Sequence, residues 1–375
     1  SRVTQEFLSQ TALITLELPG EERSVVVRPP TMWDPPTAWL DRLRGLARRL
    51  CVTATPYAQA DLGALQRVGD VRLGAAATTT AADIVDKILG VTSVRGATVL
   101  GDGPLTTRAV ELLDSQNPTV VIAAEPGNAD LTARRLSDMV VMAPFDPAVG
   151  AALAGVGTDP TIPAYLDGTE AAPVSRDSPV ARRQDAVGAV LWRALQPSLE
   201  PRTQILLPPR KWSPQPDDAR AMIAALANAM RAGLAKPRPL VAVIAESAGT
   251  PASEESEESE FGIPDDAPAE FDDDVVDSIR GAAVRQWELT AALTTDDRTG
   301  LTGLQYTAPL REDMLRALSQ TEPTTGRNEI ARQRLAVVGA TIEDLFGAVT
   351  IVSPGDSYTL ASERSALPLA LRNDL

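Results

Sequence analysis

The chain has 375 residues, with 50 acidic against 35 basic side chains, one cysteine and no histidine. Without an imidazole it cannot use a Ser-His-Asp or Cys-His mechanism, nor build a His-rich catalytic zinc site. The net charge of −15 argues against a nucleic-acid partner, which needs a basic face to replace the counterions of the phosphates. The single Cys51 excludes an intrachain disulfide, and its apolar neighbours predict a buried side chain.

The chain up to residue 245 alternates short apolar runs with amphipathic stretches. The runs are rich in Val and Ile and predict strands at 24–27, 51–55, 97–100, 119–124, 139–143, 204–207 and 240–245. Helical periodicity predicts helices at 39–50, 83–89, 105–113, 179–195 and 217–234. Apolar strands separated by helices are typical of a parallel sheet covered on both faces. Residues 1–245 are therefore predicted to form an α/β domain with a mainly parallel sheet, either barrel-like or doubly wound.

One motif occurs twice, at an offset of 179 residues. Residues 25–35 and 204–214 both contain an apolar run, Pro-Pro, two residues, a tryptophan, one polar residue and a proline. The simpler interpretation is one βα turn used twice, in which Trp33 and Trp212 close the loop over the barrel end. In the alternative interpretation, the two indole faces are stacking platforms for a sugar at the mouth of a site.

Past residue 245 the composition changes. Between Glu246 and Asp277 the chain carries 13 acidic residues and no Lys or Arg, which leaves a net charge of only −2 elsewhere. This predicts an acidic, disordered linker over 246–270. A calcium-binding loop is the alternative, although the spacing lacks the alternating Asp pattern.

Apolar stripes predict a helical region over 271–348 that packs on the α/β domain. Short strands at 349–353, 358–361 and 366–371, with a turn at 354–356, predict the first strands of a β-sandwich module over 349–375.

Polar residues follow several of the predicted strands, at the edge where α/β folds bind ligands. These residues are Tyr57, Asp61, Glu125, Asp146, Arg210, Lys211 and Glu246. No P-loop, Ser-x-x-Lys or Gly-x-Ser-x-Gly motif accompanies them in the sequence. We therefore predict neither a cofactor nor a metal, and the candidate ligand-binding residues are Trp33, Trp212, Arg210, Lys211 and Tyr57.

Glu125 and Asp146 are the weak catalytic candidates. Glycoside hydrolysis needs two carboxyl groups at a set separation and no imidazole. The competing and favoured interpretation is that these acids cap the helices that follow, since Asp146 directly precedes Pro147.

Several segments resemble an uncharacterised family of actinobacterial, mycobacterial-type envelope proteins. The resemblance is most specific at 293–316 (LTTDDRTGLTGLQYTAPLREDMLR) and extends to WLDRLRGLARRLCVTATPYAQA, MAPFDPAVGAALAGVGTDPTIPAYLD, SPVARRQDAVGAVL and the closing SERSALPLALRNDL. It covers most of the chain except the acidic linker, and residues 1–36 depart from the pattern. The resemblance implies an exported protein at the periplasmic face, anchored by a segment outside this chain and often encoded beside the lipid II flippase. The resemblance supplies no catalytic residues that could be carried over to this chain.

These observations together favour a non-enzymatic cell-envelope protein, a scaffold or glycan-binding partner in peptidoglycan and cell-wall assembly. The expected partners are a glycan or a cell-wall synthesis membrane protein such as the lipid II flippase. A carboxylate-dependent glycoside hydrolase using Glu125 and Asp146 is the alternative, and recruitment of a basic partner by the acidic linker is a third hypothesis. No apolar run approaches 18 residues, so no membrane-spanning segment is predicted within this chain.

Overall fold

The computed structural model describes residues 13–15, 36–100, 105–125, 131–163, 165–166, 174, 176–196, 202–210, 212–251, 271–321, 325–352 and 370–373. The fold is mixed α/β, mainly helical with a small sheet of parallel and antiparallel strands. The chain divides into two compact units, one of residues 1–270 with 318–324 and one of 271–317 with 325–375. None of the helices in these ranges is both long and apolar enough to cross a membrane.

The first unit contains the sheet and most of the predicted sites. Its strands are β1 (Leu13–Thr15), β2 (Cys51–Thr53), β3 (Ala97–Val99), β4 (Thr119–Ala124), β5 (Arg134–Arg135) and β6 (Val140–Phe145). Its helices are α1 (Pro36–Ala47), α2 (Leu62–Val68), α3 (Val71–Leu89), α4 (Thr107–Asp114), α5 (Pro147–Ala154), α6 (Pro179–Leu195), α7 (Pro216–Arg231) and α8 (Leu240–Ala248). The five helices predicted from periodicity are thus confirmed, although α3 begins well before residue 83.

The main sheet has the strand order β3-β4-β6-β5. Strands β3, β4 and β6 are parallel, and β5 pairs antiparallel with β6 at the edge. Alternate residues such as Ile122 and Ala143 pack with Leu240 of α8 in one core, while the intervening Val121 and Met142 are also fully buried. The parallel strands are therefore buried on both faces, which explains why they are almost continuously apolar in sequence.

Helix caps explain several boundaries in this unit. The side chains of Asp61, Asp70, Thr106, Asp146 and Ser178 each accept a hydrogen bond from a backbone amide in the first turn of the following helix. Each such cap satisfies an amide that has no partner within the helix and contributes about 1 kcal/mol.

Two predicted strands are wrong. Residues 240–245 lie in helix α8, where Leu240, Ile244 and Ser247 are buried at helical spacing after Pro239. A short apolar run cannot be distinguished from a buried helix by periodicity alone. Residues 204–207 have no regular secondary structure and pair with none of the described strands, although Ile205 and Leu207 pack against the core of the sheet. Pro208 and Pro209, which follow, have no backbone N–H to donate to a ladder.

Three further predictions concern Glu246, Cys51 and the strand at 24–27. Glu246 lies in the last turn of α8 instead of following a strand, and it forms an exposed ion pair with Arg238. Cys51 was predicted to be buried, but it is only half-buried at the start of β2. The predicted strand at 24–27 lies outside the described residues.

The second unit is a helical assembly with one pair of strands. Its elements are α9 (Asp273–Ala292), α10 (Gly303–Tyr306), α11 (Ala308–Ala317), α12 (Arg327–Gly347), β7 (Val349–Val352) and β8 (Ala370–Asn373). Helices α9, α11 and α12 contact one another, and Ile279, Met314 and Val338 are among their fully buried residues. Strand β7 pairs antiparallel with β8. The predicted strand at 358–361 and turn at 354–356 lie outside the described residues.

Candidate functional site

The two candidate catalytic acids follow neighbouring parallel strands in register. The β4–β6 ladder ends with the pair of Ala124 and Phe145, and Glu125 and Asp146 are the next residues. The backbone N–H of Glu125 donates to the carbonyl of Phe145 over 3.5 Å. The structure therefore places both acids at the same edge of the sheet.

Each of these acids binds an arginine directly. Glu125 is 5% exposed, and its Oε1 lies 2.5 Å from Nη2 of Arg134 on the edge strand β5. Asp146 caps α5, since its Oδ1 accepts the backbone N–H of Ala148 at 3.0 Å, while its Oδ2 lies 3.4 Å from Nη2 of the buried Arg193. The capping interpretation of Asp146 is therefore confirmed. Glu125 therefore connects the end of β4 to β5, and Asp146 connects the end of β6 to α5 and α6.

A second group of predicted residues lies at the end of β2. After Tyr57, which is buried, the backbone of Ala58 and Gln59 adopts positive φ values of 54° and 49°. Two consecutive non-glycine residues in the left-handed region cost about 1–2 kcal/mol each. Such conformations persist only where surrounding contacts impose them, and they cluster at ligand sites.

The contacts that impose this turn come from residues 318–321, which we call the clasp segment. The N–H of Asp61 donates to Leu318 O at 2.9 Å, and the N–H of Gln320 donates to Gln59 O at 3.1 Å. Ser319 Oγ donates to Ala58 O at 2.7 Å. The clasp segment thus holds both strained residues by their carbonyls.

The side chain of Gln320 links an acid to a base in this cluster. Its Nε2 donates to Asp61 Oδ2 at 3.1 Å, and its Oε1 accepts a hydrogen bond from Arg210 Nη1 at 3.1 Å. Asp61 also caps α2 through Oδ1, which accepts the N–H of Ala64 at 2.8 Å. Two predicted residues, Asp61 and Arg210, are therefore linked through Gln320, and Tyr57 precedes the turn that the clasp segment holds.

Gln59 adds a buried polar atom to the same cluster. Its side-chain Oε1 is buried, and none of the residues the structure describes donates a hydrogen bond to it. A buried acceptor of this kind is rare in folded proteins and requires a reason.

Trp212 closes a loop. Its indole N–H donates to the carbonyl of Leu153 in α5 at 2.8 Å. The next residue, Ser213, forms a bridge with Gly157, whose φ is +114° and where a Cβ would lie 2.2 Å from the Ser213 carbonyl oxygen. Trp212 thus has a role in closing this loop, but residues 204–207 before it form no strand, so the predicted βα turn is wrong for this copy of the motif. Its role as a sugar platform stays a prediction, and Trp33 and Lys211 lie outside the described residues.

Sequence reasoning missed Gln59, Ser319 and Gln320. Gln320 is 259 residues from Asp61 in the chain, and no local pattern marks it as a partner. Within the described ranges no group of three His, Cys, Asp or Glu side chains is arranged to hold a metal ion. Comparison with known protein families and with curated proteins finds no match for this chain.

Proposed function

We propose that the chain is a non-enzymatic cell-envelope protein that binds glycan and acts as a scaffold in peptidoglycan and cell-wall assembly. The observation that carries this proposal is the polar cluster at the end of β2. It combines a carboxylate, a guanidinium and two amides, which together accept from and donate to sugar hydroxyls. The strained turn beneath them is the kind of backbone that binding sites retain.

The envelope location comes from the resemblance of residues 293–316 and the other matching segments. We propose accordingly that the protein faces the periplasm, is anchored by a segment outside this chain, and has a cell-wall synthesis membrane protein such as the lipid II flippase as a partner. We also propose a barrel-like or doubly wound arrangement for residues 1–245, which the parallel strands β3, β4 and β6 support. For residues 349–375 we propose a β-sandwich module, which the antiparallel pair of β7 and β8 supports.

The alternative function is glycoside hydrolysis by Glu125 and Asp146. The observation in its favour is that the two acids follow in-register neighbouring strands. Against it, a hydrolase needs one carboxyl group to donate a proton and the other to attack or activate water. Here one carboxylate caps a helix, and each binds an arginine.

Co-sedimentation with purified peptidoglycan tests the two functions in the same tube. The pellet measures bound protein, and the supernatant measures newly released reducing sugar ends. We expect the wild-type chain to pellet with the glycan and to release no reducing ends above a protein-free control. Release that disappears in Glu125→Gln would establish the hydrolase instead, and a chain that stays in the supernatant would refute glycan binding.

A further inference from the structure

We propose that Asp61 and Arg210 form a recognition slot for a carboxamide-bearing ligand and that the side chain of Gln320 is its built-in occupant. We call this arrangement the amide slot. The inference rests on the proposed function and deepens it, since it names the ligand group that the site recognises. It also makes Gln320 a competitor that the ligand must displace.

The chemistry of the slot follows from its two ends. A carboxylate can only accept hydrogen bonds and a guanidinium can only donate them. A group that joins the two must therefore donate at one end and accept at the other, as a carboxamide does. Gln320 satisfies both ends at 3.1 Å. A ligand amide can make the same two bonds.

The backbone of the clasp segment is held independently of the Gln320 side chain. Asp61 N–H binds Leu318 O, Gln320 N–H binds Gln59 O, and Ala60 bridges Ser319. None of these bonds uses the Gln320 amide group. The side chain can therefore leave the slot while the clasp segment stays in place. Arg210 and Gln320 are half-buried, whereas Asp61 is only 8% exposed, so a ligand can reach the carboxylate only after the Gln320 side chain has left the slot.

The buried Oε1 of Gln59, to which no described residue donates a hydrogen bond, belongs to a residue that contacts the clasp segment. The backbone carbonyl of Gln59 accepts the N–H of Gln320, so the two residues are hydrogen-bonded neighbours. A ligand that carries a second donor beside its amide, such as a hydroxyl, gives this acceptor a partner. An N-acetylated amino sugar has both groups on one ring, and a Gln or Asn side chain of a peptide has the amide alone.

The test is a calorimetric titration of the full chain with small probes. The variants are wild type, Gln320→Ala and, as a matched control, Gln333→Ala, which removes an exposed glutamine from α12. The probes are N-acetylglucosamine, glucose and the peptide Gly-Gln-Gly. Gln320→Ser is the second opening variant, to be used if Gln320→Ala does not melt cooperatively.

We expect Gln320→Ala to bind N-acetylglucosamine at least about tenfold tighter than wild type, because a competitor that occupies the slot lowers apparent affinity by the fraction of open molecules. Glucose should show no gain, Gln333→Ala should match wild type, and adding Arg210→Ala should remove the gain. A gain for Gly-Gln-Gly alone would support the amide slot and refute a sugar ligand. No gain for either amide probe, or an equal gain for glucose, would overturn the inference.

This result is distinguishable from failure of the proposed function. Wild-type binding to peptidoglycan without any gain in Gln320→Ala would overturn the amide slot alone. A gain for Gly-Gln-Gly in Gln320→Ala without wild-type binding to peptidoglycan would overturn the glycan function and support the slot.

Discussion

The two polar regions of the first unit pair acids with arginines in different ways. At the sheet edge, Glu125 and Asp146 contact Arg134 and Arg193 directly. At the end of β2, the neutral amide of Gln320 binds both Asp61 and Arg210. In a direct pair, the carboxylate and the guanidinium bind each other and hold secondary structure together. In a pair joined through an amide, an external amide could replace the one that binds the carboxylate and the guanidinium. We therefore expect the first region to hold secondary structure together, and we propose ligand binding for the second.

The largest expected effect breaks a direct pair at the sheet edge. Arg193 and Asp146 have side chains only 6% and 13% exposed. Arg193→Leu should lower the free energy of unfolding by about 3 kcal/mol, because it leaves a largely buried carboxylate without its guanidinium. Urea unfolding measures this loss.

The matched control for Arg193→Leu is Arg220→Met, which removes an exposed arginine paired with Asp217. It should change the free energy of unfolding by less than about 1 kcal/mol, since exposed ion pairs contribute little. Equal losses in the two variants would show that the sheet-edge pair is not structural.

An intermediate effect is expected from the strained turn. Ala58 and Ala60 are both buried, but Ala58 has φ +54° and Ala60 has φ −60°. Glycine relieves strain only at position 58, so Ala58→Gly should cost at least about 1 kcal/mol less than Ala60→Gly. Thermal unfolding of the two variants makes the comparison. Equal costs would mean that the turn stores no strain.

A smaller effect is expected from opening the amide slot. Gln320→Ala removes a hydrogen bond to the buried carboxylate of Asp61 and one to the half-buried guanidinium of Arg210, and should cost about 1.5 kcal/mol of unfolding free energy. This loss should be clearly smaller than that of Arg193→Leu in the same urea experiment. A larger loss would make Gln320 a structural residue and remove the distinction between the two regions.

The smallest effect concerns a direct pair outside both regions. Burial raises the pKa of Asp86, but hydrogen bonds from Ser93 and the charge of Arg95 lower it more, so the pKa lies below its usual 3.8. A lowered folded-state pKa gives stability that is present above the unfolded-state value and is lost as the pH falls through the folded-state value. Asp86→Asn should therefore flatten the fall in unfolding free energy below about pH 4.

The control for Asp86→Asn is Asp83→Asn, because Asp83 binds the same Arg95 at 3.0 Å but has a side chain 68% exposed. Both variants would be unfolded in urea at several acidic pH values, and Asp83→Asn should change the free energy of unfolding by less than about 1 kcal/mol because its ion pair is exposed. A wild-type slope in Asp86→Asn would contradict the role given to Asp86.

Much of the scaffold could be predicted from local signals. The helix over 179–195 matches its prediction because Ser178, Pro179 and the apolar spacing all act within one segment. The shared sheet edge of Glu125 and Asp146 follows from two neighbouring apolar strands. Their arginine partners could not be predicted, because Arg134 lies on a two-residue edge strand with no apolar pattern.

The candidate site itself was only half predictable. Tyr57 and Arg210 were indicated by their positions after predicted strands, although residues before Arg210 turned out to form no strand. Gln320 and Gln59 carry no signal in the sequence, since their roles depend on a contact between distant segments and on a left-handed turn in which glycine is absent. The strand predicted at 240–245 failed because apolar content alone does not separate a buried strand from a buried helix.

The most direct test of the account compares peptidoglycan binding by variants of the two regions. Dissociation constants would be measured by co-sedimentation for Arg210→Met at the end of β2 and for Glu125→Gln at the sheet edge, after each variant is shown to fold. We predict that Arg210→Met binds peptidoglycan at least about tenfold more weakly than wild type, which is the loss expected when a hydrogen bond to a charged group is removed. We predict wild-type binding for Glu125→Gln. Weaker binding in Glu125→Gln with no change in Arg210→Met would contradict the account.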